Sequence, residues 1–322
     1  MGRYITVTVL LVACVSDSSS PIDGGSDATM DVSVDVATDA TVDVFEAGPA
    51  CNLSKPFGAP VAITELNTTK DDAVARLTHD ELTVYFVRAS PGSYDTADIF
   101  TATRQAKGQP FGSATPLALN DNTRGDFEPS PSDDLTLFFS SDRVGTLGAG
   151  DLFVATRSDV LHPFGGVTSV QGNINTTANE GYVYALPNSL TLYFRSGVNG
   201  TDDLFRATRP NTSATTFTTD PPSAFQSVNT ATNEEAPVVS LDERTLYFAS
   251  NRTDGGAKGG LDIWMATRPD TTSSFGNLTN VAELDTTADE LPSWISDDGC
   301  RLYMSRITGA GDFDLYIATK PN

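Results

Sequence analysis

Asp98-Ile-Phe-Thr-Ala-Thr-Arg104, Asp151-Leu-Phe-Val-Ala-Thr-Arg157, Asp203-Leu-Phe-Arg-Ala-Thr-Arg209, Asp262-Ile-Trp-Met-Ala-Thr-Arg268 and Asp314-Leu-Tyr-Ile-Ala-Thr-Lys320 are five versions of one heptapeptide, spaced 53, 52, 59 and 52 residues apart. Upstream of each lies a second apolar run, at 82–86, 135–139, 190–194, 245–248 and 301–304. Matched pairs at a fixed period of this size mark a repeat architecture. Each repeat reads as four short strands. The first is a segment such as 236–240, ended by a tight turn; the Thr-Leu-Tyr-Phe run follows, then a Gly-rich loop and the heptapeptide strand. The fourth follows a Phe-Gly signal, as at 281–284. The runs are β-branched and aromatic and apolar on both faces, which fits sheets packed between neighbouring sheets. The expected fold is all-β: a β-propeller of five four-stranded blades over residues 51–322.

The ends of this region predict how the ring closes. Residues 56–63 match the fourth strand of a blade that has no first three before it, and the chain stops after a third strand. The N-terminal strand is therefore expected to complete the last blade. Cys51 precedes that strand, and Cys300 begins the second strand of the same blade. A disulfide between them would staple the closure in an oxidising compartment; two free buried thiols are the alternative.

Ahead of the repeats the chain changes character twice. Arg3 and the apolar residues 4–13 are too short to span a bilayer and read as a signal peptide over 1–13. The sequence Leu11-Val12-Ala13-Cys14 resembles the bacterial lipobox, which makes Cys14 the expected lipidation site. In residues 14–50, Asp23, Asp27, Asp31, Asp35, Asp39 and Asp43 recur at every fourth position among Ser, Thr, Ala and Val. A helix would stack those like charges, and the segment has little apolar bulk, so it is expected to be a disordered acidic tether. The implied place is the cell envelope, as a monomer held by a lipid anchor alone, in the periplasm or on the outer membrane.

The pattern Ser-x-Asp-x-x-Thr-Leu-Tyr-Phe-x-Ser-x-Arg, then Gly and Asp-[Ile/Leu]-[Phe/Trp/Tyr], is clearest at Ser240, Asp242, 245–248, Ser250, Arg252, Gly260 and 262–264. It resembles the TolB-type, WD-repeat-like propeller family over residues 51–322. The resemblance implies the fold and leaves function open, because such propellers serve many roles. Five repeats behind an acidic tether depart from TolB, whose six blades follow an α/β domain, so a TolB role is not implied.

Charge and motif content narrow the chemistry. With 42 acidic and 20 basic residues the net charge is −22 and no basic run exists, which excludes a nucleic-acid binder. The two histidines, His79 and His162, do not recur and have no Cys or His beside them, so a His-based metal site or triad is not expected. The glycines of 255–260 lack the strand–loop–helix context of a phosphate cradle.

The recurrent acids are more informative. Asp72, Asp126, Glu180, Glu235 and Glu290 fall at intervals of 54, 54, 55 and 55, just before each first strand. They could ring one mouth of the channel as a site for a cation such as Ca²⁺ or for a basic peptide. Alternatively Arg88, Arg143, Arg195, Arg252 and Arg306 pair with them as braces, and this weighs more. Asp98, Asp151, Asp203, Asp262 and Asp314 read as loop-closing acceptors. Tyr182, Tyr184 and Trp294 are candidate aromatic anchors or inter-blade packing. The expected function is a non-enzymatic scaffold for a protein or peptide, with no cofactor; the alternative is a carbohydrate-active propeller, as glycosidase or glycan binder.

Overall fold

The computed structural model describes residues 51–322. The expected signal peptide, lipidation at Cys14 and disordered tether fall in residues 1–50, outside the described residues.

Five antiparallel sheets form the blades of one propeller. From the axis outwards, blade one is Asp71–Leu77, Thr83–Ser90, Ser93–Thr103 and Thr115–Pro116. Blade two is Asp126–Asp133, Thr136–Ser141, Asp151–Thr156 and Gly165–Ser169. Blade three is Glu180–Ala185, Thr191–Ser196, Asp203–Thr208 and Thr216–Thr219. Blade four is Glu234–Val239, Thr245–Ser250, Asp262–Thr267 and Gly276–Asn280. Blade five is Glu290–Ile295, Arg301–Ile307 and Phe313–Thr319, completed by Val61–Ala62 from the start of the domain.

The closing segment runs antiparallel to the last strand, with Val61 opposite Ile317 and Ala62 opposite Tyr316. Its pairing reaches beyond those two residues, because the Gly58 and Ile63 N–H groups donate to Thr319 and Leu315 carbonyls at 2.9 Å each. Cys51 and Cys300 are joined by a disulfide across 249 residues of chain, with Cα atoms 5.7 Å apart. The ring is thus closed by hydrogen bonds and by a covalent bond at one place.

Two details differ from the sequence expectation. The fourth strand of blade four is Gly276–Asn280, and residues 281–284 form a turn instead. The Val281 N–H bonds the Ile263 carbonyl at 2.9 Å and the Leu284 N–H bonds the Val281 carbonyl at 2.8 Å, which ends the strand and buries both apolar side chains. Blade three carries a fifth strand, Gln171–Gly172, parallel to its outer edge. Gly172 is required there: its φ is 127°, and a Cβ would lie 2.0 Å from the Phe217 carbonyl oxygen.

Inner strands are buried on both faces, as the uninterrupted apolar runs predict, and the core lies between blades. A recurrent cation–π pair ties each heptapeptide to the fourth strand that follows. Arg104, Arg157, Arg209, Arg268 and Lys320 lie over Phe111, Phe164, Phe217, Phe275 and Phe57 at 4.2–4.8 Å.

Candidate functional site

The recurrent acids at the start of the inner strands are braces. Asp72, Asp126, Glu180 and Glu290 are at most 1% exposed. Asp72 accepts Arg88 Nε at 2.6 Å and the N–H and hydroxyl of Thr68. Asp126 pairs with Arg143 at 2.5 Å and Glu290 with Arg306 at 2.8 Å. Glu180 accepts the Ser196 hydroxyl at 2.7 Å in place of an arginine. Burial pushes the carboxyls of Asp72 and Glu290 up, against the opposing pull of Thr68 and Arg88, and of Thr286 and Arg306. Each of these arginines also bonds a carbonyl of the preceding inter-blade loop, as Arg88 does at Leu66 and Arg306 at Leu284. Their hydrogen-bonding capacity is largely used inside the fold.

In blade four the brace is Glu234, not Glu235. Glu234 is 0% exposed, lies opposite Ser250, pairs with Arg252 at 3.0 Å and accepts both Thr230 donors. The five carboxylates expected as a ring therefore do not form one set, since Glu235 points elsewhere. The signal that separates them is a threonine four residues earlier, present at Thr68, Thr176, Thr230 and Thr286.

Two residues beyond the brace in each of blades one to four, the inner strand bulges. Val74, Glu128, Tyr182 and Ala236 adopt φ of 54°, 54°, 51° and 49° at register shifts in blades one to four. Such bulges re-aim side chains at the rim of a closed sheet, and positive φ in non-glycine residues concentrates at functional sites. Here they surround a cavity of about 500 Å³ lined by Val74, Glu128, Tyr182, Glu235 and Leu291. Those residues come from the inner strands of all five blades, which puts the cavity on the propeller axis.

Arg195 is the cation of this cavity. It lies opposite Gly181, one position out of step with Ser196, which lies opposite Glu180. The pleat therefore turns its side chain away from the brace position. It bonds Asp202 at 3.1 Å and the Asn179 carbonyl at 3.2 Å, and its guanidinium stands 5.6 Å from the Tyr182 ring centre. Burial pulls this guanidinium's pKa down, yet Glu128, Asp202, Tyr182 and Glu235 together hold it above the usual value. Glu128 accepts the Ser140 hydroxyl and the Tyr182 N–H. A Cβ on Gly181 would lie 2.8 Å from the Glu128 carboxylate and 3.3 Å from Arg195, so only glycine leaves room for both.

Glu235 completes the group. It is partly buried, and its carboxylate makes no hydrogen bond or ion pair among the described residues. Burial raises its pKa to about 7, with Arg195 opposing and Asp202, Glu128 and Asp289 adding to the rise. The cavity thus holds acids in excess of its one arginine, beside an apolar wall of Val74, Val87, Phe127, Leu291 and Phe313.

The remaining sequence candidates fall outside it, apart from Tyr182. Tyr184 and Trp294 are buried on the far side of the bulge, with Trp294 edge-on to Tyr303 at 5.8 Å. His79 and His162 each pair with an aspartate, Asp297 at 2.9 Å and Asp159 at 2.8 Å, on the surface. Asp151 and Asp262 close their loops by accepting two backbone N–H groups each, and Asp203 accepts the Asn199 amide. Asp314 departs from that role: its Oδ1 is buried with no hydrogen-bond partner among the described residues. Asp262, Asp285 and Glu290 offer carboxylate oxygens within 4.8 Å of one another, all buried. This cluster arises because Asp285 occupies a place held elsewhere by Asn67, Asn120, Asn175 and Asn229. Each of those amides accepts the N–H and donates to the carbonyl of one third-strand residue, whereas Asp285 accepts the Ile263 N–H at 2.9 Å.

No protein-family model matches this chain, and no curated protein is a significant match. Solved structures do match in fold. TolB from Acinetobacter baumannii is 13% identical over 80% of this chain and 57% of its own, with a TM-score of 0.48. This chain thus spans little more than half of that TolB structure. A protein of unknown function from Dyadobacter fermentans is 10% identical over 84% of this chain and 98% of its own, with a TM-score of 0.50. A putative glycoside hydrolase from Parabacteroides distasonis is 11% identical over 85% and 95%, with a TM-score of 0.50. At these identities the likeness is one of fold, and TolB structures are among the fold neighbours.

Proposed function

We propose that this chain is a binding module of the cell envelope whose axial cavity receives a cationic side chain of a protein or peptide partner. The observation that carries the reading is Glu235, a half-buried carboxylate without a partner among the described residues, beside Glu128 and Asp202 in a cavity of about 500 Å³ with one apolar wall. A lysine or arginine brings a charge for the acids and an aliphatic stem for Val74, Leu291 and Phe313. The apolar wall that suits an aliphatic stem offers no oxygen ligands to a free cation, which would have to take all of them from the acidic side of the cavity.

The test is titration of a labelled Arg/Lys-containing peptide by fluorescence anisotropy, with an isosteric Gln peptide as control. Glu235→Gln and Glu128→Gln should each weaken binding about tenfold, the cost of about 1.4 kcal/mol for a lost charge contact. Asp254→Asn, an exposed acid that does not line the cavity, should change little. Because a cation favours ionised Glu235, affinity should rise as pH passes upward through about 7, and Glu235→Gln should flatten that rise. Equal losses in all three variants would mean attraction to the overall negative surface and would overturn the reading.

A second reading, cleavage of a glycosidic bond, draws on the same pair. Glu128 is fixed by two donors, whereas Glu235 is unpartnered with its pKa raised to about 7, and contrasted carboxyls are what a general acid and its partner require. Release of nitrophenol from a panel of aryl glycosides, abolished by Glu235→Gln, would select it over the binding module.

A further inference from the structure

Arg76 differs from the other buried arginines of the propeller. It is 1% exposed, and its Nε, Nη1 and Nη2 all lack a hydrogen-bond partner among the described residues. Its guanidinium lies 4.8 Å from the centre of the Tyr184 ring. Glu128 and Tyr182 act on it through space from the axial cavity above, yet none of its three nitrogens has a carboxylate partner among the described residues. A guanidinium carries five N–H donors and no acceptor, and it stays charged at neutral pH. Leaving such a group dry and unpaired is among the costliest arrangements a fold can contain.

Beside it is a second cavity, of about 20 Å³, lined by Arg76, Ser130, Tyr184, Val239 and Trp294. These residues again come from the inner strands of all five blades, so this space also lies on the axis, at the other end of the channel. Among its donors besides Arg76 is Ser130, whose oxygen accepts the Ala185 N–H at 2.8 Å and whose own hydroxyl proton remains available. The neighbouring acid at the rim, Asp297, is engaged by His79 at 2.9 Å. The site therefore presents positive charge, donors and apolar walls in a space on the order of one water-sized sphere. A phosphate is too large for it, and a water molecule brings no charge.

We propose that the lower end of the channel is a halide site, in which chloride is held by the Arg76 guanidinium and the Ser130 hydroxyl. The ion supplies the counter-charge that the described residues do not place there. It pins the inner strands of blades one and two to a common point on the axis. The site is independent of the cationic ligand proposed for the other mouth.

Thermal unfolding of the whole chain, with chloride exchanged for gluconate at constant ionic strength, tests this. Constant ionic strength matters because a chain of net charge −22 responds to salt in general. Chloride and bromide should raise the midpoint by a few degrees with a saturable dependence, and gluconate should not. Arg76→Met should abolish the halide response; a response retained in that variant would overturn the site. Because a buried substitution can cost the fold, crystals grown in bromide give a second measurement. An anomalous peak against the Arg76 guanidinium supports the proposal, and a midpoint indifferent to halide together with no such peak rejects it.

Discussion

Asp285 shows how much one residue in a repeat can be out of keeping with its neighbours. Four blades place Asn at this position and one places Asp, close to Asp262 and Glu290. Burial raises the Asp285 pKa to about 6, the backbone of Ile263 and the Asn280 amide oppose the rise, and Asp262 and Glu290 add to it. Asp285→Asn should therefore stabilise the domain at neutral pH by about 2 kcal/mol, the worth of roughly two pKa units less some relaxation. The gain should shrink as pH falls through 6 towards 4, where the wild-type carboxyl takes up its proton. Urea unfolding at the two pH values measures it; an equal gain at both would show that charge is not the cause. The same residue-by-residue reading explains what the sequence conceals about the axial site. Glu234 and Glu235 are adjacent, so the interval between blades alone does not say which is the brace and which faces the cavity; Thr230, four residues before Glu234, does. Arg195 looks like the other second-strand arginines, and only strand register reveals that it lies opposite Gly181 and turns to the other face.

At the scale of strands and blades the sequence is far more explicit, because each strand repeats five times and each repeat must satisfy the same packing. The heptapeptide arginine and the Phe of the following Phe-Gly signal are conspicuous in sequence, and the structure gives them a joint role as a stacked pair. Phe275→Leu keeps apolar volume but removes the ring under Arg268, which lies 4.3 Å from its centre. It should cost about 2 kcal/mol, combining the lost cation–π contact with imperfect refilling of a buried space. Urea unfolding would check this, and a cost no larger than that of an exposed substitution would assign the stack no energetic role. The closing segment makes the complementary case. The disulfide to Cys300 spans 249 residues, a loop long enough for its removal to cost about 5 kcal/mol through the unfolded state. Cys51→Ser with Cys300→Ser should lower the melting midpoint but leave the five-bladed fold, since the backbone bonds of the closing segment remain. What repetition cannot reveal is the bulge: the positive φ at Val74, Glu128, Tyr182 and Ala236 has no glycine or asparagine to announce it.

For the molecule as a whole, the balance of charges fixes how stability responds to pH. Asp72, Asp98, Asp203, Glu235, Asp285, Glu290 and Asp314 all have pKa values raised chiefly by burial. The third-strand acids add to this across blade boundaries: Asp98 faces the field of Asp126, Asp203 that of Glu234, and Asp314 that of Asp72. For a carboxyl with a raised pKa the folded state holds the proton more tightly than the unfolded chain. Its contribution is fully present below the unfolded value near 4 and is lost as pH rises through the folded value, up to about 7 for Glu235. Acids shifted the other way, such as Asp242 and Asp298, lose their contribution as pH falls below about 4. The net charge of −22 adds self-repulsion that also eases on mild acidification. These effects place maximum stability on the acidic side of neutrality. The melting midpoint at about pH 5 should exceed that at about pH 8 by several degrees, in chloride held constant. Glu235→Gln and Asp285→Asn together should remove a large part of the difference, because theirs are the raised pKa values that reach about 7 and about 6. A midpoint equal or higher at pH 8 would mean that the buried acids are solvated or paired more fully than their surroundings in the blades indicate.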